Sequence, residues 1–285
     1  MGTATTLRTE TSERVRSIVL SRAGEYNTIT PALRDELALA ISEADGDPGV
    51  AAILLRAEGP AFCAGYGLDW ATEAQIGERQ SGAVWDSVTD MRLIGGFVEV
   101  FQKLWYAKKP TIAAVGGWCI GGGTDMVLCA DLIIAGDDAR FGYPPARVWG
   151  TPTTAMWVYR LGFQTAKRYL LTGDEISAQR ALEIGLVCET VPASELAERA
   201  FALAARVARL PINQLIMIKA LCNQPAENMG LASSRQLGTL FDGVARHTQE
   251  GLDFLHRAEA LGFREAVRER DDPFGDYGSR VRGGD

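Results

Sequence analysis

The chain has 285 residues, 47% of them hydrophobic, which is enough to bury the core of one large unit or two average domains. This composition excludes disordered, collagen-like and disulfide-stapled proteins. Asp and Glu total 36 against 29 Lys and Arg, and the net charge of −7 disfavours nucleic acids and membrane surfaces as partners. The two histidines, His247 and His256, do not share a helical face, so we predict no metal site.

The five cysteines and the chain start point to the cytoplasm. No C-x-x-C pair occurs, and most cysteines lie in apolar runs, so we predict buried, reduced thiols. Residues 1–13 lack the apolar stretch of a signal peptide. The apolar stretch over 111–126 is interrupted by glycines and Asp125, which excludes a spanning helix. We therefore expect a cytoplasmic protein.

The first predicted elements are a strand over 15–22, a helix and a second strand. Pro31 suits a first helical position, and Leu33, Leu37 and Ile41 recur every fourth residue, which predicts a helix ending near 45–47. The continuous apolar run 50–55 is typical of a strand buried on both faces. A loop of small residues, 59–69, follows that strand.

The next segment repeats this order of strand, glycine loop and helix. Residues 70–90 are polar and aperiodic, which predicts a surface loop of the kind that often forms a lid. The apolar spacing then predicts a helix over 97–105 and a strand over 111–115. A glycine-rich loop follows, then a helix that starts within its glycines and carries residues 126–130, and then a strand over 131–135. The repetition favours an α/β core built from stacked similar units.

The C-terminal third has a different character. Leu196, Ala200, Ala204 and Val207 form one apolar helical face, and further helices are predicted over 212–222 and 235–267. We therefore divide the chain into a core, 1–192, and a helical region, 193–285. The charged, glycine-rich stretch 271–285 is expected to fray or to pack only in an oligomer.

Many of the 31 glycines lie in the two loops that follow buried strands. Backbone without Cβ atoms approaches a ligand closely, and a helix N-terminus presents unpaired N–H groups. Two such N–H groups aimed at one oxygen form an oxyanion hole. The second loop fits a phosphate-binding loop less well than an oxyanion hole, because no G-x-x-x-x-G-K-[ST] motif occurs and Asp125 lies where a phosphate loop needs a cation.

Four segments in order carry a resemblance to a known family. They are Ala61-Phe62-Cys63-Ala64-Gly65-Tyr66-Gly67-Leu68, then Trp118-x-x-Gly121-Gly122-Gly123-x-Asp125 with Cys129-Ala130-Asp131, then Phe141-Gly142-Tyr143-Pro144, then Leu171 to Ala178 with Gly185-Leu186-Val187. Together they resemble the enoyl-CoA hydratase/isomerase (crotonase) superfamily over about residues 14–276.

The resemblance implies a crotonase-like spiral of β-β-α units with a C-terminal helical trimerisation region. It implies an acyl-CoA substrate, a homotrimer or dimer of trimers, and no separate cofactor. The thioester carbonyl would accept hydrogen bonds from the backbone N–H groups of Tyr66 and Gly122, with Asp125 as the proton-transfer group. Substrate contacts would fall at Tyr26, Thr28, Ala64, Gly67, Leu68, Trp118, Gly121, Gly123, Pro144, Pro145 and Val148.

One departure from the family pattern weakens the assignment of a hydratase reaction. Enoyl-CoA hydration is easiest with two carboxyl groups, and the family's hydratases have glutamates where this chain has Asp125 and Pro145. Arg147 could approach the site but is no general base at neutral pH. Nearby hydroxyls could orient a water, and the role of Asp69 is doubtful. The candidate hydroxyls are Tyr143, Thr151, Thr153 and Thr154.

Hydration of a 2-enoyl-CoA is the default activity that the resemblance implies. The alternatives are isomerisation or acyl-CoA hydrolysis with one carboxylate, or a weakly catalytic acyl-CoA-binding protein. Asp131 is predicted to be a hydrogen-bonded structural carboxylate. The C-terminal cations Arg264, Arg268 and Arg270 form an ordinary solvated face, or meet the CoA phosphates of a neighbouring subunit.

Overall fold

The computed structural model describes residues 5–67 and 84–277 and contains two β-sheets. The larger sheet has six strands, and β1 pairs antiparallel with β2 while the other pairs are parallel. Its strands in spatial order are β1 (Leu7–Ser12), β2 (Val15–Leu20), β3 (Ala52–Ala57), β5 (Thr111–Val115), β7 (Leu132–Gly136) and β10 (Glu189–Val191). The predicted α/β class is confirmed.

The smaller sheet consists of four short strands that alternate along the chain with those of the larger sheet. Its spatial order is β4 (Ala61–Cys63), β6 (Trp118–Ile120), β8 (Arg140–Gly142) and β9 (Ile176–Ser177). Because β4, β6 and β8 follow β3, β5 and β7 in turn, each repeat adds one strand to each sheet. This is the spiral of β-β-α units that the resemblance implied. Strands β4 and β6 lie in stretches that the sequence predicts to be glycine loops, since three residues are too few for a periodic signal.

The helices within the described residues complete this pattern. The first five are α1 (Pro31–Gly46), α2 (Ser87–Tyr106), α3 (Gly122–Val127), α4 (Met156–Leu170) and α5 (Ala178–Glu183). The C-terminal helices are α6 (Leu196–Ala208), α7 (Ile212–Asn228), α8 (Leu231–Arg246), α9 (Gln249–Leu261) and α10 (Phe263–Asp271). The single helical stretch predicted over 235–267 is wrong, because the Thr248 side chain caps α9 and Gly262 adopts a φ of 83° before α10.

Helices cover both faces of the larger sheet. On one face, α6 places Leu196, Ala200 and Ala204 against residues of β2, β3, β5 and β7. On the other face, α1 and α2 pack in the main core, with Leu37 and Phe101 almost fully buried. Burial on both faces explains the nearly continuous apolar runs of β3 and β5.

Strand β1 was missed because only Leu7 of its six residues is buried. The other five face solvent and carry no alternating apolar signal. The strand is held by its pairing with β2, while the preceding Thr6 donates from its backbone N–H and its hydroxyl to Glu36, at 2.8 and 2.9 Å. Tertiary contacts, rather than local propensity, fix this strand.

The C-terminal segment up to residue 277 packs on its own chain, so the expected fraying is wrong for those residues. The buried Arg147 guanidinium donates to Asp271 at 2.9 Å and to Asp276 at 2.7 and 2.8 Å. The Tyr277 hydroxyl donates to the Gly173 carbonyl oxygen at 2.8 Å. Arg147 is therefore occupied by this tail contact and does not approach the candidate site. Residues 278–285 lie outside the described part.

Three of the five cysteines, Cys63, Cys119 and Cys129, are buried free thiols, as predicted. Cys188 and Cys222 are exposed, so burial was predicted wrongly for these two. Within residues 5–67 and 84–277, no single helix has the length and apolar character to cross a membrane. The consecutive helical segments Ala193–Ala208 and Ile212–Asn228 are long and apolar enough only when taken together, and a bend of 106° separates them.

Candidate active site

The two glycine loops meet at the carboxyl ends of the parallel strands β4 and β6. Gly65 and Gly121 adopt φ values of 90° and 54°, which L-residues with side chains rarely adopt. A Cβ on Gly122 would lie 2.8 Å from the Tyr66 ring, and one on Gly123 would collide with the Cys63 carbonyl oxygen. The loops therefore approach each other more closely than side chains at these positions permit.

The backbone N–H groups of Tyr66 and Gly122 take no part in holding the described parts of these loops together. The Ile29 N–H donates to the Gly65 carbonyl oxygen, and the Gly67 N–H donates to the Ile29 carbonyl oxygen. Because these two bonds flank Tyr66 in a parallel pairing, the Tyr66 N–H points away from Ile29. Gly122 begins α3, where an N–H has no partner within the helix. Neither N–H has an acceptor among the described residues.

Most of the predicted substrate contacts near the first loop lie side by side. The Ala64 N–H donates to the Tyr26 carbonyl oxygen at 3.1 Å, and the Gly67 N–H donates to Ile29 at 2.9 Å. Thr28 lies between those two partners, and Tyr26 is 48% exposed. This strip of chain is therefore continuous with the first glycine loop. Leu68 and Asp69 lie outside the described residues, as does most of the predicted lid loop; Ser87 already begins α2.

Asp125 lies in the first turn of α3 and is completely buried. Its carboxylate accepts bonds from the Thr153 N–H at 3.2 Å, the Thr153 hydroxyl at 3.0 Å and the Thr154 hydroxyl at 3.0 Å. Arg160 donates to the carbonyls of Leu128, Ala130 and Asp131 and so caps the other end of α3.

The electrostatics of Asp125 follow from this environment. Burial raises the pKa of Asp125 to about 7, although the threonine hydrogen bonds oppose the shift. All three of these donors are uncharged, and Asp125 forms no ion pair within residues 5–67 and 84–277. The group therefore gains or loses its proton near neutral pH, as an acid or base in catalysis must.

The hydroxyls that were expected to orient a water are engaged by the protein instead. Thr153 and Thr154 donate to Asp125, Tyr143 donates to the Thr151 carbonyl oxygen at 2.5 Å, and Thr151 donates to Gly238 at 2.9 Å. Their function in the structure is to hold Asp125 and the 151–154 segment in place.

Pro145 lies at the second loop but carries no proton-transfer group. Its ring packs near Gly121 on one side and Gly150 on the other, in a 3₁₀ turn that starts at the buried Pro144. Val148 packs instead among the C-terminal residues Phe254 and Ala258.

Trp118 lies at the start of β6, whereas the Gly121 turn follows its end. It contacts the Tyr277 ring at 6.1 Å between centroids and lines a cavity of about 540 Å³ with Arg140 and Glu175. The predicted substrate contact at Trp118 therefore stays a prediction.

Two polar groups near Asp125 were missed by the sequence analysis. The Tyr66 hydroxyl is buried and has no hydrogen-bond partner among the described residues, while its ring packs edge-on against Phe97 at 5.3 Å. Asp242, on α8, is close enough for its charge to raise the pKa of both Asp125 and Tyr66. No local motif marks Asp242, because 117 residues separate it from Asp125.

The other titratable candidates have structural partners. Asp131 accepts from Thr111 at 2.7 and 3.0 Å and pairs with Lys219 at 2.8 Å, in agreement with its predicted structural role. Arg268 pairs with Glu265, and Arg270 pairs with Asp271 at 2.7 Å. His247 stacks on Trp85 while His256 is exposed, and no group of three potential ligands in the described residues is placed to hold a metal.

Comparison with known proteins decides the family. The family model described as enoyl-CoA hydratase/isomerase matches residues 10–260. This chain belongs to the enoyl-CoA hydratase/isomerase family. The crystal structure of an enoyl-CoA hydratase from Mycobacterium smegmatis matches 96% of this chain and 95% of its own, with a TM-score of 0.90 and 42% identity.

Curated relatives of the same family cover most of the chain. A probable enoyl-CoA hydratase of Mycobacterium bovis is 30% identical over 238 residues, 81% of this chain and 88% of its own. The 2,3-dehydroadipyl-CoA hydratase of Escherichia coli is 30% identical over 252 residues, 86% of this chain and 93% of its own. Membership of the crotonase superfamily, expected from the four sequence segments, is confirmed.

Proposed function

We propose that this protein hydrates 2-enoyl-CoA thioesters. The observation that carries the proposal is that the Tyr66 and Gly122 N–H groups, which find no acceptor in the described part of the chain, accompany the buried Asp125. A thioester oxygen that accepts both N–H groups would be stabilised as it gains enolate character, by a few kcal/mol per donor. Similarity to proteins named enoyl-CoA hydratases supports the acyl-CoA substrate.

Asp125 is the proton-transfer group in this proposal. A carboxyl with a pKa of about 7 is present in both protonation states at neutral pH and can exchange a proton with the α-carbon of the substrate. The α3 N-terminus stabilises negative charge on the thioester oxygen. The strip formed by Tyr26, Thr28, Ala64 and Gly67 is proposed to bind the CoA portion, because it continues directly from the Tyr66 loop.

The decisive experiment is a steady-state assay on crotonyl-CoA and longer 2-enoyl-CoAs, with 3-enoyl-CoA in parallel. Wild-type protein should hydrate at least one 2-enoyl-CoA, and Asp125→Asn should lower kcat by about 10²-fold or more. The matched control is Asp253→Asn on α9, an exposed residue that bonds only Gln249 among the described residues, and it should retain wild-type kinetics.

One observation favours a second activity, isomerisation of 3-enoyl-CoA. Pro145 occupies the place of the second expected acid, and moving a double bond by α-proton abstraction needs only one carboxylate. Isomerisation without hydration at any chain length would select this activity. The absence of both turnover and calorimetric acyl-CoA binding would refute an acyl-CoA enzyme altogether.

The assembly is proposed to be a homotrimer or a dimer of trimers. Large apolar side chains on α7 and α8 are exposed in the single chain, among them Met217, Leu221, Leu237 and Phe241. Contiguous exposed apolar surface is typical of subunit interfaces. Light scattering should give a mass three or six times the chain's 30.8 kDa.

A further inference from the structure

Two glycines of helix α8 lie close to neighbouring parts of the chain, Gly238 to the 151–154 segment and Gly243 to α2. A Cβ on Gly238 would lie 2.7 Å from the Pro152 carbonyl oxygen, and the Thr151 hydroxyl donates to the Gly238 carbonyl oxygen at 2.9 Å. A Cβ on Gly243 would lie 3.3 Å from the Asp90 side chain on α2. The helix is therefore fixed against the segment that holds Asp125 and against α2.

Asp242 lies on the face of α8 that docks at this point. It follows Gly238 by four residues, so both project from the same side of the helix, and the Thr151 backbone bonds its carboxylate. Its side chain remains 16% exposed, whereas Asp125 is completely buried. Asp242 is thus the more accessible of the two carboxyls.

Charged groups near Asp242 lie on α8, α2 and α3. On α8 itself, the Arg246 guanidinium is 3.6 Å away. On α2, Asp90 is already bound to Arg246 at 3.2 Å and to the Trp85 indole N–H at 2.8 Å. On α3, Asp125 carries the other carboxyl. Arg246 is therefore shared between two carboxylates and neutralises Asp242 only in part.

An independent feature indicates that a ligand is accommodated here. The Tyr66 hydroxyl is buried without a partner among the described residues, although a buried hydroxyl ordinarily finds one. Both Asp125 and Asp242 add to the rise in the pKa of Tyr66, so this phenol lies near both carboxyls. A water or substrate oxygen between these groups would satisfy the hydroxyl.

We propose that Asp242 is a catalytic residue, the second proton-transfer group of the hydration reaction, which supplies from α8 the carboxyl that Pro145 does not. This inference rests on the proposed function. Ionised Asp242 takes a proton from water as the water oxygen bonds to C3 of the substrate. The electron pair of the C2=C3 bond moves toward the thioester carbonyl, and protonated Asp125 then gives its proton to C2. One water is added, and exchange returns the proton from Asp242 to Asp125.

The surroundings of the two carboxyl groups favour the states that this mechanism requires, an ionised Asp242 and a protonated Asp125. Burial raises the pKa of Asp242 to about 6 and that of Asp125 to about 7, and the negative charge of Asp242 contributes to the second shift. At neutral pH, Asp242 is mainly ionised and Asp125 holds a proton about half of the time. Activity should therefore fall below about pH 6 and above about pH 7.

The test measures kcat and KM of wild type, Asp242→Asn and Asp242→Glu on the best 2-enoyl-CoA between pH 5 and pH 9. We expect Asp242→Asn to lower kcat by about 10²-fold or more with KM within about threefold, and Asp242→Glu to recover part of kcat. Asp253→Asn again serves as the control. A kcat within about threefold of wild type and an unchanged pH profile in Asp242→Asn would overturn the role of Asp242.

The outcomes distinguish failure of the proposed hydratase function from failure of the proposed role of Asp242. If wild type turns over no enoyl-CoA, the proposed function fails and this role fails with it. If wild type is active and Asp242→Asn matches it, only Asp242 is excluded. Thermal melting monitors folding of each variant; should Asp242→Asn unfold, absence of an acidic limb near pH 6 in the wild-type profile overturns the proposal.

Discussion

Two aspartates six residues apart, Asp125 and Asp131, lie in contrasting surroundings at the two ends of one short segment. The donors to buried Asp125 in the described structure are Thr153 and Thr154, whereas Asp131 pairs with the Lys219 ammonium at 2.8 Å. A buried cation compensates the charge of Asp131 and makes it a structural anchor between α7 and the larger sheet. Burial raises the pKa of Asp125 to about 7. The surroundings, rather than the residue type, distinguish the two carboxyl groups.

Activity should separate the two aspartates most strongly. Asp125→Asn keeps the side-chain shape but removes the exchangeable proton, so kcat on an enoyl-CoA should fall by about 10² to 10⁴-fold. Asp131→Asn should leave kcat of the folded enzyme within about threefold of wild type. Steady-state kinetics measure kcat of both variants. Equal losses of kcat would show that the two aspartates do not differ in their contribution to activity.

The stability of the two variants should also depend on pH in different ways. The pKa of Asp125 is raised from 3.8 to about 7, so the folded state binds this proton more tightly than the unfolded state. Stability is therefore lost as pH rises from about 4 to about 7, by up to roughly 4 kcal/mol, since each pKa unit is about 1.4 kcal/mol. Asp125→Asn avoids this loss.

Urea unfolding at pH 5 and pH 8 measures that loss. Asp125→Asn should gain stability relative to wild type at pH 8 and lose most of this advantage at pH 5. A difference between the two proteins that is independent of pH would show that Asp125 does not titrate in this range.

Breaking the Asp131 pair should destabilise the protein without altering its chemistry. Asp131→Asn leaves the buried Lys219 ammonium without its counter-ion, which costs about 3 kcal/mol. Lys219→Met in the same chain removes the isolated charge, so the double variant should be more stable than Asp131→Asn. Guanidinium denaturation tests this order, and additive losses would argue against the pair.

The smallest expected effect adjusts Asp125 without removing it. Thr153→Val deletes one hydroxyl donor to the carboxylate, and this raises the pKa of Asp125 further. The basic limb of the kcat profile should move up by about one pH unit, the equivalent of one hydrogen bond to a charged group. Thr190→Val in the edge strand β10 is the matched control, and a profile identical to it would reject the role of Thr153.

Features fixed by local chemistry were accessible from the sequence. Pro31, with apolar residues every fourth position, places α1, and the Gly121 to Gly123 run marks the entry to α3. Gly65 and Gly121 have positive φ values, which explains why glycine occurs at these positions. The glycines in the sequence therefore marked both loops. Family membership also followed from motifs of this kind.

Features fixed by distant contacts were not accessible. Strand β1 has a single buried residue and depends on β2, and residues 271–277 depend on Arg147, far away in the chain. Asp242 gains its environment only when α8 packs on Thr151 and Asp90. In each case the deciding partner is non-local, and no periodicity in the segment itself reports it.

The bond between Thr151 and Gly238 joins positions 87 residues apart and has a consequence for synthesis. A ribosome delivers the chain from its N-terminus, so the glycine loops emerge long before α8. The 151–154 segment cannot receive its final support until residue 238 has left the exit tunnel. A nascent chain therefore carries the two glycine loops before α8 supports the 151–154 segment, and termination before α8 would leave that segment without its bond to Gly238.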